Sequence, residues 1–297
     1  MIFVIILYAV FAAMTFINTA LMTSDPYPII VGMFRAVGSG MIILGYLLLF
    51  DRQKLLNLRL TKHEWYFLAL YGVLIHAFAM CGFSYGAMYA SPITICFLYA
   101  SAPFLTAIIL YLDEKESLNW TKLVGLIVGL MGLIPILLKS STMNHSLVML
   151  GNALVGNGIV LISMLFFCSG WIFFKKLIHF KKHSIQLLNG IAMIIGGIVS
   201  TFIALVFYGK DLFAIPFSNN FSYLLGLFIV ASLLTYSLYA YLLQHFSPTF
   251  ISFAGFLEPA FAILYGMLFF GYSIQIIDIA SFLILFAGLY IFYRQEL

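Results

Sequence analysis

From Ile2 to Ser24 the chain carries no charged residue, and nine further stretches of similar length and apolarity follow, separated by short breaks. Repeated runs of this kind constrain the fold more than any other feature. A helix needs about 20 apolar residues to cross the hydrocarbon core of a bilayer, and a run of that length has no place to hide in water. Of the 297 residues, 64% are hydrophobic and only 8% are charged, whereas a soluble domain carries about a quarter charged residues. Within lipid every backbone polar group must be satisfied by the segment or its sheet, so runs of this length read as helices. The expected architecture is an all-α polytopic membrane protein with helices near 2–22, 27–50, 65–88, 90–111, 119–139, 148–173, 185–208, 220–243, 248–270 and 274–293. The breaks are too short for a soluble domain. The N-terminal run lacks the positive flank of a signal peptide, so it is read as the first of the helices.

Lys and Arg set the direction. Arg52, Lys54, Arg59 and Lys62 follow the second run, Lys115 and Lys122 the fourth, Lys175, Lys176, Lys181 and Lys182 the sixth, and Arg294 the tenth, leaving only Arg35, Lys139 and Lys210 elsewhere. With ten crossings these clusters share one side, and the positive-inside bias puts both termini in the cytoplasm. Trp65, Trp120 and Trp171 fall near the same ends, where an interfacial aromatic belt is expected. The net charge of +4 is thereby explained by orientation; it forms no groove-sized patch for nucleic acid. Cys81, Cys96 and Cys168 lie in apolar runs without metal-like spacing and read as core residues. Glu64 and the cluster Asp113, Glu114 and Glu116 lie at helix ends, read as solvated, and have no accompanying His that would make a metal site. No metal and no cofactor is expected.

The chain also resembles itself. An offset of 156 residues superposes Tyr85 on Tyr241, Ser91 on Ser247, Pro92 on Pro248, Ile95 on Ile251, Phe97 on Phe253, Pro103 on Pro259 and Gly132 on Gly288. Five crossings separate each helix from its partner, and an odd number turns the second half upside down. Residues 1–140 and 141–297 are therefore expected to be inverted five-helix repeats forming one transport unit, with a substrate site near the midplane between them. Pro103 and Pro259 fall near mid-helix, where each removes a backbone hydrogen bond and frees a carbonyl; the alternatives are a plain kink and a site-forming break.

"SYGAMYASPITICFLYASAPFLTAIIL" in the first half and "LYAYLLQHFSPTFISFAGFLEPAFAILYGMLFFG" in the second, with "FRAVGSGMIILGYLLLF" and "SGWIFFKKL", resemble the EamA-like group of the drug/metabolite transporter superfamily. The resemblance covers nearly the whole chain. It implies a basket of ten helices in which the first four of each half surround a central cavity and the fifth braces the outside. It also implies carriage of small organic metabolites such as amino acids or methylated cofactors. Two departures stand out: Gly271-Tyr272 replaces the family's frequent Gly-Glu pair after the ninth helix, and Ala102 occupies the position equivalent to Glu258.

Glu258 is the main candidate, because a carboxylate at membrane depth must face water, find a donor or stay protonated. It reads as a counter-charge for a cationic substrate or as a proton site; the bland alternative is a protonated acid bonded to a neighbouring helix. Arg35 either snorkels to the headgroups or faces inward to a carboxylate or phosphate, with Asn189 as its approximate repeat counterpart. His76 reads as an interhelical hydrogen-bonder or as a lining residue. Tyr85, Tyr99, Tyr236, Tyr239, Tyr241 and Tyr265 are either packing or faces for a planar or cationic substrate. A substrate with a positive centre and a flat ring follows, for which S-adenosylmethionine and an amino acid both fit. Gly125, Gly129 and Gly132, with Gly82 and Gly86, have the spacing of close helix packing and are expected to serve inside the bundle, so a monomer is the expected state. Metalloprotease, Gly-x-Ser-x-Gly and Walker sequences are missing, so the chain is read as a secondary-active carrier. A channel-like facilitator is the alternative, ahead of a membrane enzyme. The expected location is a bacterial inner membrane.

Overall fold

The computed structural model describes residues 2–114, 120–136, 147–178, 184–209, 212 and 215–293. The described residues are helical, with no strand among them. The principal helices are α1 (Ile2–Ser24) and α2 (Pro28–Phe50), α3 (Lys62–Gly86), α4 (Pro92–Tyr99 and Ala102–Glu114) and α5 (Trp120–Ile136). They continue with α6 (Leu147–Ile178), α7 (Ile185–Tyr208) and α8 (Phe221–His245), α9 (Pro248–Ala254 and Leu257–Phe270) and α10 (Ile276–Tyr293). Eight of these are long and apolar enough to cross a membrane, and α5 and α10 are shorter apolar helices. The protein is a polytopic all-α membrane protein. Its outer surface carries large apolar side chains such as Leu49, Phe202 and Phe207, an arrangement that only lipid solvates at low cost.

Local sequence explains the interruptions. Ser91 and Ser247 each cap a helix, accepting hydrogen bonds from Thr94 N and Phe250 N at 3.1 Å, with proline at the first helical position. Such a cap satisfies a terminal N–H while proline loses nothing there. Farther on, α4 breaks at Ala100–Ser101 and α9 at Gly255–Phe256, just ahead of Pro103 and Pro259. The carbonyl of Gly255, which Pro259 cannot engage, accepts from Glu258 N at 3.0 Å. Both prolines thus sit in the first turn of a new segment rather than within a continuous helix. In α3 the residues Gly72–Ala79 are π-helical, and Thr61 and Glu64 form a reciprocal capping box at its start. Glu64 is 5% exposed, so the expected solvated acid is instead a helix cap.

The helix neighbours follow a pattern. α2 packs on α7, α5 on α10 and α4 on α9, while α1 packs on α8 and α6 on α3. Shifting every label by five maps each of these pairs onto itself or onto another of them. Glycines permit the closest approaches. A Cβ at Gly196 would lie 2.4 Å from Gly72 O and 2.5 Å from His76 Cβ, which fixes the α7–α3 crossing. A Cβ at Gly288 would meet Gly129 N at 2.2 Å, so α5 and α10 touch backbone to backbone. Gly82 and Gly86 face Ser163 and Val160 of α6, the internal packing expected of them.

The three tryptophans expected to form an interfacial belt differ in their surroundings. Trp65 and Trp120 are 43% and 81% exposed, but Trp171 is 1% exposed. The reason is that α6 runs on to Ile178 instead of stopping near residue 173, which places Trp171 about 10 Å inside its end at 1.5 Å per residue. Lys175 lies within the helix and donates to the carbonyls of Leu243 and Phe246 at the end of α8, so its charge reaches a partner without breaking α6. Lys115, Glu116, Lys139, Lys181, Lys182, Lys210 and Arg294 lie outside the described residues, as do the side chains of Asp113 and Glu114.

Candidate functional site

Among the buried polar side chains, two groups carry ionisable residues at the heart of the candidate site, and aromatic rings separate them. The first is Glu258, placed by the break in α9 in the first turn of the segment Leu257–Phe270 and 3% exposed. A helix start presents unpaired N–H groups and a partial positive charge, which favours an acid there. The Cys96 thiol faces its carboxylate, and Tyr8 and Tyr99 lie within its field. Two small cavities touch it, one of about 10 Å³ between Thr15, Met80, Tyr99 and Tyr236 and one of about 20 Å³ between Tyr8, Phe167 and Tyr239. A water occupies about 30 Å³ of liquid, so the interior is closed around the acid to less than the size of a metabolite.

The second group is built on Arg35 of α2, which is fully buried. The guanidinium lies 5.3 Å from the ring centre of Tyr236 and 5.9 Å from that of Phe228. Its three nitrogens have no hydrogen-bond partner. His76 stands against the same Tyr236 ring at 4.9 Å, on the π-helical turn of α3, with the Asn189 amide as its polar neighbour. Asn189 of α7 accepts a 2.8 Å hydrogen bond from the Tyr71 hydroxyl, which orients its amide and leaves Nδ2 beside the His76 ring.

Between the two groups the rings of α6 and α8 form a wall. Trp171 stacks on Tyr239 at 4.0 Å and on Tyr236 at 5.9 Å, and Phe167 meets Tyr99 and Tyr239 edge-on. A wall of this kind suits a planar ring or a soft cation.

At the bundle end where α1 finishes and α4 begins, a vestibule of about 760 Å³ lies between Thr19, Thr23, Ser91, Phe270 and Asp278. Its floor includes Phe16, stacked on Phe270 at 5.0 Å and next in sequence to Thr15, which touches Glu258's cavity. Asp278 accepts from Tyr272 Oη at 2.6 Å and from Gln275 N at 3.0 Å. Burial, and then this acceptor, push the Tyr272 phenol upward, so it remains a neutral donor. Tyr272 stands where the family's frequent Gly-Glu pair would put an acid, and here it holds one supplied by α10.

The structure therefore gathers Glu258, Tyr99 and Tyr239 around one pole and Arg35, His76 and Asn189 around the other. It turns Arg35 inward and so excludes the snorkelling alternative. Tyr265 is partly buried and donates to Ala9 O at 3.2 Å, a link between α9 and α1. Tyr85 and Tyr241 are 38% and 42% exposed and join neither pole; their rings lie beside Tyr89 and His245 respectively. Tyr8, Tyr71 and Trp171 lie against these two groups; no signal in the sequence set Tyr8 or Tyr71 apart and Trp171 was read as interfacial, because an aromatic residue in an aromatic-rich apolar run carries no mark of the face it occupies.

Helices of membrane-spanning length that enclose charged and aromatic side chains define a polytopic membrane protein with a polar interior. A family model described as the EamA-like transporter family matches residues 1–138 and 154–294, and the chain belongs to that family. Among its relatives is a protein of Chlamydia trachomatis serovar L2 named an S-adenosylmethionine/S-adenosylhomocysteine transporter. It is 30% identical over 71% of this chain and 65% of its own length, so the match spans slightly less than two thirds of that relative. A protein of the same name from Chlamydia muridarum is 30% identical over 91% of this chain and 84% of its own length. A Clostridium kluyveri protein named an uncharacterized transporter is 24% identical over 82% and 76%. One crystal structure superposes over 100% of this chain and 97% of the other with a TM-score of 0.67 at 12% identity, a likeness of fold.

Proposed function

We propose that the protein is a secondary carrier that moves S-adenosylmethionine and S-adenosylhomocysteine across a bacterial cytoplasmic membrane by alternating access. The observation that carries this reading is Glu258, a buried carboxylate at a helix break, enclosed by Tyr8, Tyr99 and Tyr239. A sulfonium or ammonium centre needs a counter-charge, and an adenine ring needs aromatic faces; the site offers both. The names of the chlamydial relatives support the same substrates.

The mechanical half of the proposal is that two inverted five-helix repeats exchange conformations around this site. The offset of 156 residues, the matching Ser-Pro caps and helix breaks, and the pairing pattern that survives a shift of five helices support it. The narrow cavities around Glu258 suit a state closed to both sides, with the vestibule as the approach from the end opposite the N-terminus. The basic residues Arg52, Lys54, Arg59 and Lys62 support cytoplasmic termini.

Purified protein in proteoliposomes tests the reading. Labelled S-adenosylmethionine is expected to enter saturably, faster when the lumen holds unlabelled S-adenosylmethionine or S-adenosylhomocysteine, and Glu258→Gln is expected to abolish this counterflow. A proton-coupled mode would add acceleration by an imposed pH gradient. Flux that neither saturates nor responds to internal substrate would replace the carrier with a pore, and no flux with either compound would remove the substrate assignment.

A further inference from the structure

The group around Arg35 is chemically one-sided. Arg35, His76, Asn189 and Trp171 are each 0% or 1% exposed. All three guanidinium nitrogens and Trp171 Nε1 lack hydrogen-bond partners, and so does Ser39 Oγ one turn along α2 from Arg35; the His76 ring and Asn189 Nδ2 lie beside each other with no third polar partner. Apart from one imidazole nitrogen and the hydroxyl lone pairs, this set consists of donors. Their elements are distinct, α2, α3, α6 and α7, yet the side chains converge on one aromatic pair. Arg35, His76 and Trp171 all lie against Tyr236, at 5.3, 4.9 and 5.9 Å from its ring centre. Tyr71 joins the remaining member, stacking near Trp171 at 5.2 Å and near His76 at 5.4 Å while donating to Asn189.

Burial of so many unpaired donors is expensive. An uncompensated buried polar group is destabilising, and a charged one more so. Cation–π contact with Tyr236 and Phe228 offsets part of the guanidinium's desolvation and satisfies none of its N–H groups. A single cation with a planar fork of donors, flanked by neutral donors, matches a monoanion with two in-plane oxygens.

We propose that Arg35, His76, Asn189 and Trp171 form a carboxylate-binding subsite that takes the α-carboxylate of the transported amino-acid derivative, at the far side of the aromatic wall from Glu258. The inference rests on the substrate reading given above and deepens it. S-adenosylmethionine and S-adenosylhomocysteine differ in charge at sulfur and share the carboxylate, so a subsite on that group explains how one carrier accepts both. Glu258 then answers the cationic part, and Arg35 sets the requirement for an acid.

Thermal stabilisation of the purified full-length protein, titrated with defined compounds, tests this. Wild-type protein is expected to bind S-adenosylmethionine and S-adenosylhomocysteine, and to bind decarboxylated S-adenosylmethionine at least tenfold more weakly, although that analogue keeps the sulfonium, the amine and the adenosine. Inorganic phosphate is expected not to compete. In Arg35→Gln, affinity for S-adenosylmethionine should fall at least tenfold, to the level of the decarboxylated analogue, whose own affinity stays within about twofold of wild type. Arg35→Lys keeps the charge without the fork and should fall between the two, which provides a reading if the glutamine variant does not melt cooperatively. Equal wild-type affinity for the carboxylated and decarboxylated compounds, or equal loss of both in a folded Arg35 variant, overturns the subsite while leaving the substrate reading intact. Failure of both adenosyl compounds to stabilise the wild type overturns the substrate reading and the subsite with it.

Discussion

At the scale of single residues, a polar side chain within the bundle is informative in proportion to what its neighbours fail to provide. Glu258 has the start of a helix segment, the Cys96 thiol and nearby phenols but no cationic partner among the described residues, so under the proposed function its substitution is expected to act mainly on transport. We expect Glu258→Gln to fold with a melting temperature close to that of the parent and to lose counterflow by at least tenfold; a melting temperature lowered along with the flux would instead make the acid structural. Asp25 is the opposite case. It lies between α1 and α2, 1% exposed, and accepts from Ser218 N at 2.7 Å, Ser218 Oγ at 2.6 Å and Ser24 Oγ at 2.8 Å. Burial by itself would raise its pKa, but these hydrogen bonds outweigh it and hold the carboxyl below its ordinary value. A depressed folded pKa contributes stability above the unfolded value, about 4, and that contribution disappears as pH falls through the folded value. Asp25→Asn should therefore lower stability at neutral pH by about 1–3 kcal/mol, and the gap between variant and parent should close on acidification. Melting curves across pH 3 to 7 (a range of about four units, chosen around the ordinary carboxylate value) check the sign.

At the scale of elements, close backbone contact sets which helices can act as a unit. Gly196→Ala would place a methyl group 2.4 Å from Gly72 O and 2.5 Å from His76 Cβ, atoms that move only if α3 and α7 part. Overpacking of this kind costs about 1–3 kcal/mol, and because His76 rides on the displaced turn, ligand-induced stabilisation should shrink along with the melting temperature. Gly288→Ala meets Gly129 N at 2.2 Å and Gly129 Cα at 2.4 Å, yet α5 and α10 line neither polar group. It should depress the melting temperature to a similar degree and leave the affinity of the folded fraction for S-adenosylmethionine unchanged; a selective loss of affinity would give the α5–α10 pair a part in the site. Both element boundaries and these glycine contacts were partly legible beforehand: the apolar runs ended within a few residues of the helices, and small-residue spacing marked Gly82, Gly86, Gly125, Gly129 and Gly132. The π-helical turn of α3 was not legible, since Gly72–Ala79 has the composition of any apolar helix.

At the scale of the whole molecule, the proposed inverted halves require both chain ends on one face. Asn57, in the connection between α2 and α3, and Ser273, between α9 and α10, are exposed and lie on opposite sides in that topology. Asn57→Cys should react with an impermeant thiol reagent only from the cytoplasmic side, and Ser273→Cys only from the other; labelling of both from one side would break the inverted arrangement. The native thiols interfere little, because Cys96 and Cys168 are buried and Cys81 is half-buried. The sequence by itself determined the apolar helices and a disturbance at Pro103 and Pro259, because run length and proline's missing N–H act within a few residues of where they are written; that the disturbance is a full break just ahead of each proline, and that Ser91 and Ser247 cap the segments before it, came from the structure. The tertiary structure alone decided that Arg35 points inward, that Trp171 is interior and not interfacial, and that Tyr85 and Tyr241 face away from both poles. A helix in lipid is apolar on its outer and its inner side alike, so no polarity contrast along the chain tells the two faces apart; only the neighbouring helices do.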